Sequence, residues 1–287
     1  MGESGCASGS AAPARRPSSC PASSPGLFDM HCHLDFAADT AAAAREAAAC
    51  LNAGFFANTM EPADFPGALA AFASCPNVHV GLGWHPWRVP EDRDSLVRSL
   101  ALFDRFAAEG AGLCGPDASD GSQVRLFGEV GLDFAGAHAA RAPQQRTVFS
   151  HVLDTAASRS GSVVSIHCVR AYDEALDMIE LSGASQAGTC IFHWFSGTSD
   201  QLNRAVSLGC RFSVGERMLA TKRGRAYAKA VPADRLLLET DLPAAPAEPC
   251  GLAGMVSSLE RTLAALEELR ADRLAEMLAA SSAGLLR

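Results

Sequence analysis

Short apolar runs alternate along the chain with longer segments whose apolar positions recur at helical spacing. The runs predict strands over Leu27–His31, Gly54–Thr59, Val78–Gly83, Arg125–Gly131, Ser162–His167, Gly188–His193, Arg211–Gly215 and Arg235–Asp241. Between them, helices are expected over Asp39–Leu51, Pro62–Ala73, Arg93–Ala108, Pro143–Ser158, Ala171–Leu181, Ser199–Leu208 and Lys222–Ala230. Two more, Leu252–Leu269 and Ala271–Leu286, close the chain. Ser199 is a candidate N-cap, and Pro143 suits a first helical turn. Eight strand–helix units in about 250 residues predict a TIM-type (β/α)8 barrel. The rival, a doubly wound open sheet, usually carries a glycine-rich nucleotide turn after its first strand. Here the first strand runs into "MHCHLDF", which has no glycine, and no P-loop occurs.

Residues 1–26 are rich in Ser, Pro, Ala and Gly and have no apolar core, so a disordered tail is expected ahead of a single barrel domain over 27–287. The stretch Glu109 to Gln123 reads as a loop insertion before the fourth strand. The apolar runs are too short to span a membrane. Ten cysteines without regular spacing or a C-x-x-C pair read as thiols of a reducing compartment, and the cytoplasm is the expected location. No obligatory protein partner is evident.

In a barrel of this type the active site lies at the C-terminal ends of the strands. Those ends carry His31 and His33, His85, Glu129 and Asp133, His167, His193, and Glu239 and Asp241. Residues i and i+2 of a strand share a face, so the H-x-H pair can grip one metal. With Glu129, His167, His193 and Asp241 the set reaches six candidate ligands, too many for one tetrahedral zinc. It suits two divalent ions, Mg, Mn or Zn, sharing a carboxylate, and Glu129 is the natural bridge. A bridging lysine is nearly excluded: the only lysines are Lys222 and Lys229, both after His193.

With these residues in place, the chain resembles the TatD family of metal-dependent hydrolases and deoxyribonucleases. The pieces that carry the resemblance are "DMHCHLD", "GWHPW", "GEVGLDF", "QQRTVF", "SIHCVRA", "HWFSG" and "LLLETDLP", in that order. The resemblance implies a barrel that hydrolyses DNA phosphodiesters, as an exonuclease acting on single strands or strand ends. It implies that His31, His33, Glu129 and Asp241 hold one ion, and that Glu129, His167 and His193 hold the second. Asp241 would take the proton of the attacking water, and His85 would lie near the scissile phosphate. Two departures touch substrate contacts. Val169, followed by Arg170, stands where members often carry Arg, and the loop after Asp241 lacks an Arg–Asn pair.

Formal net charge is −8, so a polyanion must be met by metals or by a local basic patch. Gly215 to Ala230 supplies one: Arg217, Lys222, Arg223, Arg225 and Lys229 against Glu216 alone. Arg217, Arg170 and Ser196 are accordingly candidate substrate contacts beside His85. Trp87 could stack on a base, whereas Trp84 is expected to fill the barrel mouth. Asp133 is expected to orient a ligand histidine, Glu239 to be structural, and His79, His138 and His151 to lie outside the chemistry. Two rival functions remain: a binuclear-metal hydrolase of another ester, amide or small phosphoester, and a non-catalytic metal-binding protein.

Overall fold

The structure, a computed structural model, describes residue 1 and residues 26–110, 123–248 and 251–287. The expected tail and the expected insertion lie, except at their edges, outside the described residues. Eight strands are present among the described residues: β1 Leu27–Cys32, β2 Ala53–Asn58, β3 Val78–Trp84, β4 Leu126–Asp133, β5 Val163–Val169, β6 Thr189–His193, β7 Arg211–Val214 and β8 Leu236–Leu238. Each pairs in parallel with its neighbour in sequence, in the order β1 to β8. The helices are α1 Thr40–Ala49, α2 Phe65–Phe72, α3 Arg93–Glu109, α4 Ala142–Ala157, α5 Tyr172–Ser182, α6 Ala184–Ala187, α7 Ser199–Ser207, α8 Glu216–Leu219, α9 Lys222–Ala230, α10 Leu252–Arg270 and α11 Ala275–Leu285. This is the expected TIM-type (β/α)8 barrel, nearly closed.

One boundary difference bears on the site. The last strand stops at Leu238 instead of Asp241, and Asp241 itself sits at φ 56°, a left-handed conformation that no strand continues. The seam is closed instead by backbone beyond β8. Asp241 N–H donates to the His31 carbonyl at 2.9 Å, and His33 N–H donates to the Leu242 carbonyl at 2.9 Å. Asp241 is thereby fixed against the strand that bears the H-x-H pair.

Elsewhere the differences are local. Thr198, not Ser199, caps α7: its hydroxyl accepts from Gln201 N–H at 3.2 Å while the Gln201 side chain accepts from Thr198 N–H at 2.8 Å. Pro143 does lie in the first turn of α4. The four-residue α8, which carries Arg217, has no counterpart among the expected helices; one helical turn gives too little periodicity to read. The final helix begins four residues later than expected, since Ala271 at φ 52° ends α10.

Phe103, Phe127, Phe149, Phe192, Phe195 and Phe212 are buried in one apolar cluster between the sheet and its helices. A second cluster joins Phe28, Met30, Phe56 and Leu237 to Leu286 just beyond α11. The sheet itself leaves no room at Gly131, whose φ is +142° and whose added Cβ would lie 2.0 Å from the His167 carbonyl oxygen. Gly131→Ala is expected to destabilise the fold by about 3 kcal/mol or more, from clash and backbone strain together. Urea unfolding of the purified variant measures this, and a loss below about 1 kcal/mol would contradict it.

Candidate metal centre at the barrel mouth

The six expected ligands converge from β1, β4, β5, β6 and the turn after β8. Three overlapping groups have donor atoms within 4.8 Å of one another: His31, His33 and Glu129; His31, His193 and Asp241; and His85, Glu129 and His167. Glu129 joins two of them, one oxygen to each side. Its Oε2 lies 3.3 Å from His33 Nε2 and 3.6 Å from His31 Nε2. Its Oε1 lies 2.8 Å from His193 Nε2, 2.9 Å from His167 Nδ1 and 3.3 Å from His85 Nε2. Asp241 Oδ1 faces the first side, 3.6 Å from His33 Nε2 and 3.8 Å from His31 Nε2. His193 therefore touches both sides, a wider reach than the resemblance implied.

The surrounding shell aims these rings. His33 Nδ1 donates to the Asn58 carbonyl at 3.0 Å, which turns Nε2 toward the carboxylates. His31 Nδ1 meets Ser165 Oγ at 2.7 Å. Asp29, fully buried, accepts from Thr240 N–H at 3.0 Å, Thr240 Oγ1–H at 2.5 Å and His31 N–H at 3.3 Å. Asp133 accepts from Trp87 Nε1–H at 2.6 Å and lies 3.3 Å from His167 Nε2, the orienting role expected of it. Glu239 is buried and accepts from Ser213 Oγ–H and Trp194 N–H, a structural role as expected. The same alternation that marked His31 and His167 would have found Asp29 and Ser165, each two residues earlier on its strand. Nothing in the sequence singles out the Asn58 carbonyl.

Electrostatics divide the histidines. Burial pushes His31 and His85 down to about 4, against the pull of Glu129. Burial also opposes charge on His33 and His167, but there the carboxylates prevail. Asp241 and Glu129 raise His33 to about 10, and Asp133 and Glu129 raise His167 to about 9. Glu129 is itself held well below the usual carboxylate range: burial opposes this, and the imidazoles of His85, His193 and His31 outweigh burial. Asp29 is pushed up to about 7 by burial.

Two observations fit this donor set to divalent cations. His31 Nε2 and His193 Nδ1 are buried without a hydrogen-bond partner, and both rings belong to one candidate group, stacked in parallel at 3.9 Å. Buried imidazole nitrogens without partners are costly unless they bind something. Imidazole and carboxylate together also suit Zn, Mn or Mg.

Neutral His85 accepts Trp87 N–H on Nδ1 at 3.1 Å, so its proton lies on Nε2, facing the centre as a donor. Arg217 NH1 lies 3.1 Å from Asp241 Oδ2. Ser196 lines the same cavity, of about 740 Å³, and its Oγ is 3.3 Å from Tyr172 Oη. Arg170 does not join them; it lines an adjoining cavity of about 680 Å³ that shares Val169 and Ser196 with the first. Trp84 is buried, as expected, and Trp87 is exposed at the rim. His138, expected in solvent, is half-buried against the Trp87 ring. His151 pairs with Asp104 on the flank of α4.

Asp29→Ala is expected to cost about 2–3 kcal/mol by stranding the Thr240 donors, and to loosen the Asp241 turn that follows. Thermal unfolding with and without divalent ions checks this, and an unchanged melting temperature counts against the role given to Asp29.

A parallel (β/α)8 barrel with imidazoles and carboxylates gathered at its C-terminal mouth defines a barrel hydrolase of the metal-dependent class. Comparison with known proteins narrows this: the chain belongs to the TatD related DNase family, whose family model matches residues 28–286. YjjV of Escherichia coli (strain K12), described as an uncharacterized metal-dependent hydrolase, is 29% identical over 265 residues, covering 88% of this chain and 94% of the relative. The 3'-5' ssDNA/RNA exonuclease TatD of Edwardsiella piscicida is 36% identical over 123 residues; the match covers 42% of this chain and spans just under half of that relative, 46%. The crystal structure of Escherichia coli YjjV superposes with a TM-score of 0.72 at 24% identity, covering 91% of this chain and 98% of that one, and supports the fold.

Proposed function

We propose that the chain hydrolyses DNA phosphodiesters, as an exonuclease on single strands or strand ends, with two divalent ions held by His31, His33, Glu129, His167, His193 and Asp241. The observation that carries this reading is the placement of Glu129, with one carboxylate oxygen facing each histidine group. Bound divalent ions would supply an acidified water and a clamp on the phosphate oxygens. The chain's own residues do the rest. Asp241, depressed by His33 and the neighbouring imidazoles despite burial, stays ionised and accepts the proton of the attacking water. His85 presents Nε2–H to a phosphate oxygen. Arg217 can exchange its contact with Asp241 for the incoming phosphate, and Ser196 offers a hydroxyl at the same wall.

The relative named 3'-5' ssDNA/RNA exonuclease acts on nucleic acid by its name. The setting proposed for this chain is the cytoplasm, and the acting unit is one barrel domain over 27–287. Among the described residues no helix is long and apolar enough to cross a membrane.

A second reading, hydrolysis of a smaller ester on the same centre, draws on the loop after Asp241: among the described residues it gives the cavity only Ala244, Ala245 and Pro246. Elemental analysis of the purified protein, with digestion of single-stranded DNA under Mg, Mn and Zn, separates the two. Intact DNA under all three ions with cleavage of p-nitrophenyl esters would replace the first reading by the second. No bound metal and no turnover of either would leave a non-catalytic protein.

A further inference from the structure

Given a nucleic-acid substrate, we propose that Trp87 is the platform on which the nucleobase of the scissile nucleotide stacks, so that the site selects an unpaired base. The first ground is exposure. Trp87 is 45% exposed, whereas Trp84, three residues earlier, is 1% exposed. Of the large apolar side chains most exposed among the described residues, Trp87 alone lines the cavity of the candidate metal centre.

The second ground is that the ring is already held. Its Nε1–H donates to Asp133 Oδ2 at 2.6 Å, and its plane stacks on the His138 ring at 4.9 Å and 11°. The Arg141 guanidinium donates to the Trp87 carbonyl at 2.9 Å. A fixed aromatic surface asks little ordering entropy of the complex, which favours binding.

The third ground is position. The Trp87 ring centroid lies 4.8 Å from that of His85 and 5.9 Å from that of His167. A base on the indole therefore keeps its own phosphate within reach of the histidines. Phe36 and Met60 extend the apolar wall of the same cavity and suit a flat base better than a charged group. Trp194, the other tryptophan of the cavity, already has the Arg217 guanidinium 5.9 Å from its ring. A base in a duplex is stacked and paired, so only a single strand or a frayed end can offer one.

The test compares a single-stranded oligodeoxynucleotide with the same oligonucleotide carrying a tetrahydrofuran abasic residue at each end. The wild-type protein is expected to favour the base-bearing end by about 5- to 150-fold in kcat/KM, mostly through KM. In W87A this ratio falls to near one. In W87F, which keeps a ring and loses the bond to Asp133, most of the ratio survives. A rate loss shared equally by both substrates, with the ratio intact, assigns Trp87 to supporting Asp133 and overturns the proposal. If the wild-type protein cuts neither oligonucleotide, the phosphodiesterase reading fails and tryptophan fluorescence decides the stacking separately. Quenching by the oligonucleotide that is present in the wild type and absent in W87F supports the platform; equal quenching in both, or none, overturns it.

Discussion

Glu129→Gln is expected to lower metal-dependent turnover on the order of 10³-fold or more, about 4 kcal/mol of barrel-mouth catalysis, while the fold persists. Gln keeps the shape and burial of the side chain, so the core around β4 has no cavity to fill. What is lost is the negative charge that faces His31 and His33 with one oxygen and His85, His167 and His193 with the other. A neutral amide offers one weak acceptor where the carboxylate offers two strong ones, and its N–H₂ would point a donor at one histidine group. On the proposed two-ion centre the bound ions should fall toward one or none, with kcat reduced far more than KM rises. Circular dichroism, elemental analysis and initial rates on single-stranded DNA together measure this. Wild-type turnover in the variant, at wild-type metal content, would remove Glu129 from the chemistry.

The reason this residue could be chosen from sequence is physical. A barrel strand sends alternate side chains inward, and only its C-terminal end opens to the mouth. Polar groups that interrupt an apolar run near its end, such as Glu129 in "LFGEVGLDF" and His193 in "CIFHWFSG", thus declare their place. The two-sided use of Glu129 follows from the number of ligands and the want of an early lysine. Other parts are not legible. The apolar run before Asp241 extends a strand through it, but Asp241 reaches the histidines through a left-handed turn whose φ no side-chain pattern encodes. The Asn58 carbonyl that aims His33 is a backbone group and leaves no trace in residue type.

Substrate contacts are harder for a related reason. By sequence Arg170 and Arg217 are equal candidates for phosphate, since each follows the end of a strand in a chain of net charge −8. The backbone separates them. Arg217 leaves α8 toward Asp241, whereas Arg170, at φ 55° just past β5, turns into the adjoining cavity. Charge and sequence position are visible before folding, but the direction in which a loop residue projects depends on its dihedrals.

Chelation should abolish turnover and lower thermal stability together, and divalent ions should restore both. The candidate centre buries the carboxylates of Glu129 and Asp133 and most of Asp241 among imidazoles whose His31 Nε2 and His193 Nδ1 have no hydrogen-bond partner. Such a set is held together only while positive charge sits within it. Ions bound by the folded chain and not by the unfolded one stabilise by about 2.7 kcal/mol at a hundred times their dissociation constant. For a chain of this size that raises the melting temperature by about 4–5 °C. His167→Ala should reduce both the shift and the stoichiometry, because His167 belongs to one candidate group alone. Glu129→Gln, which removes the carboxylate common to two groups, should reduce them further. Differential scanning fluorimetry across Mg, Mn and Zn, on protein stripped with a chelator and passed through a desalting column, reads the shift directly. A melting temperature indifferent to all three ions in the wild-type protein would mean that the converging histidines and carboxylates are held by protons alone, and that the hydrolytic centre is not a metal centre.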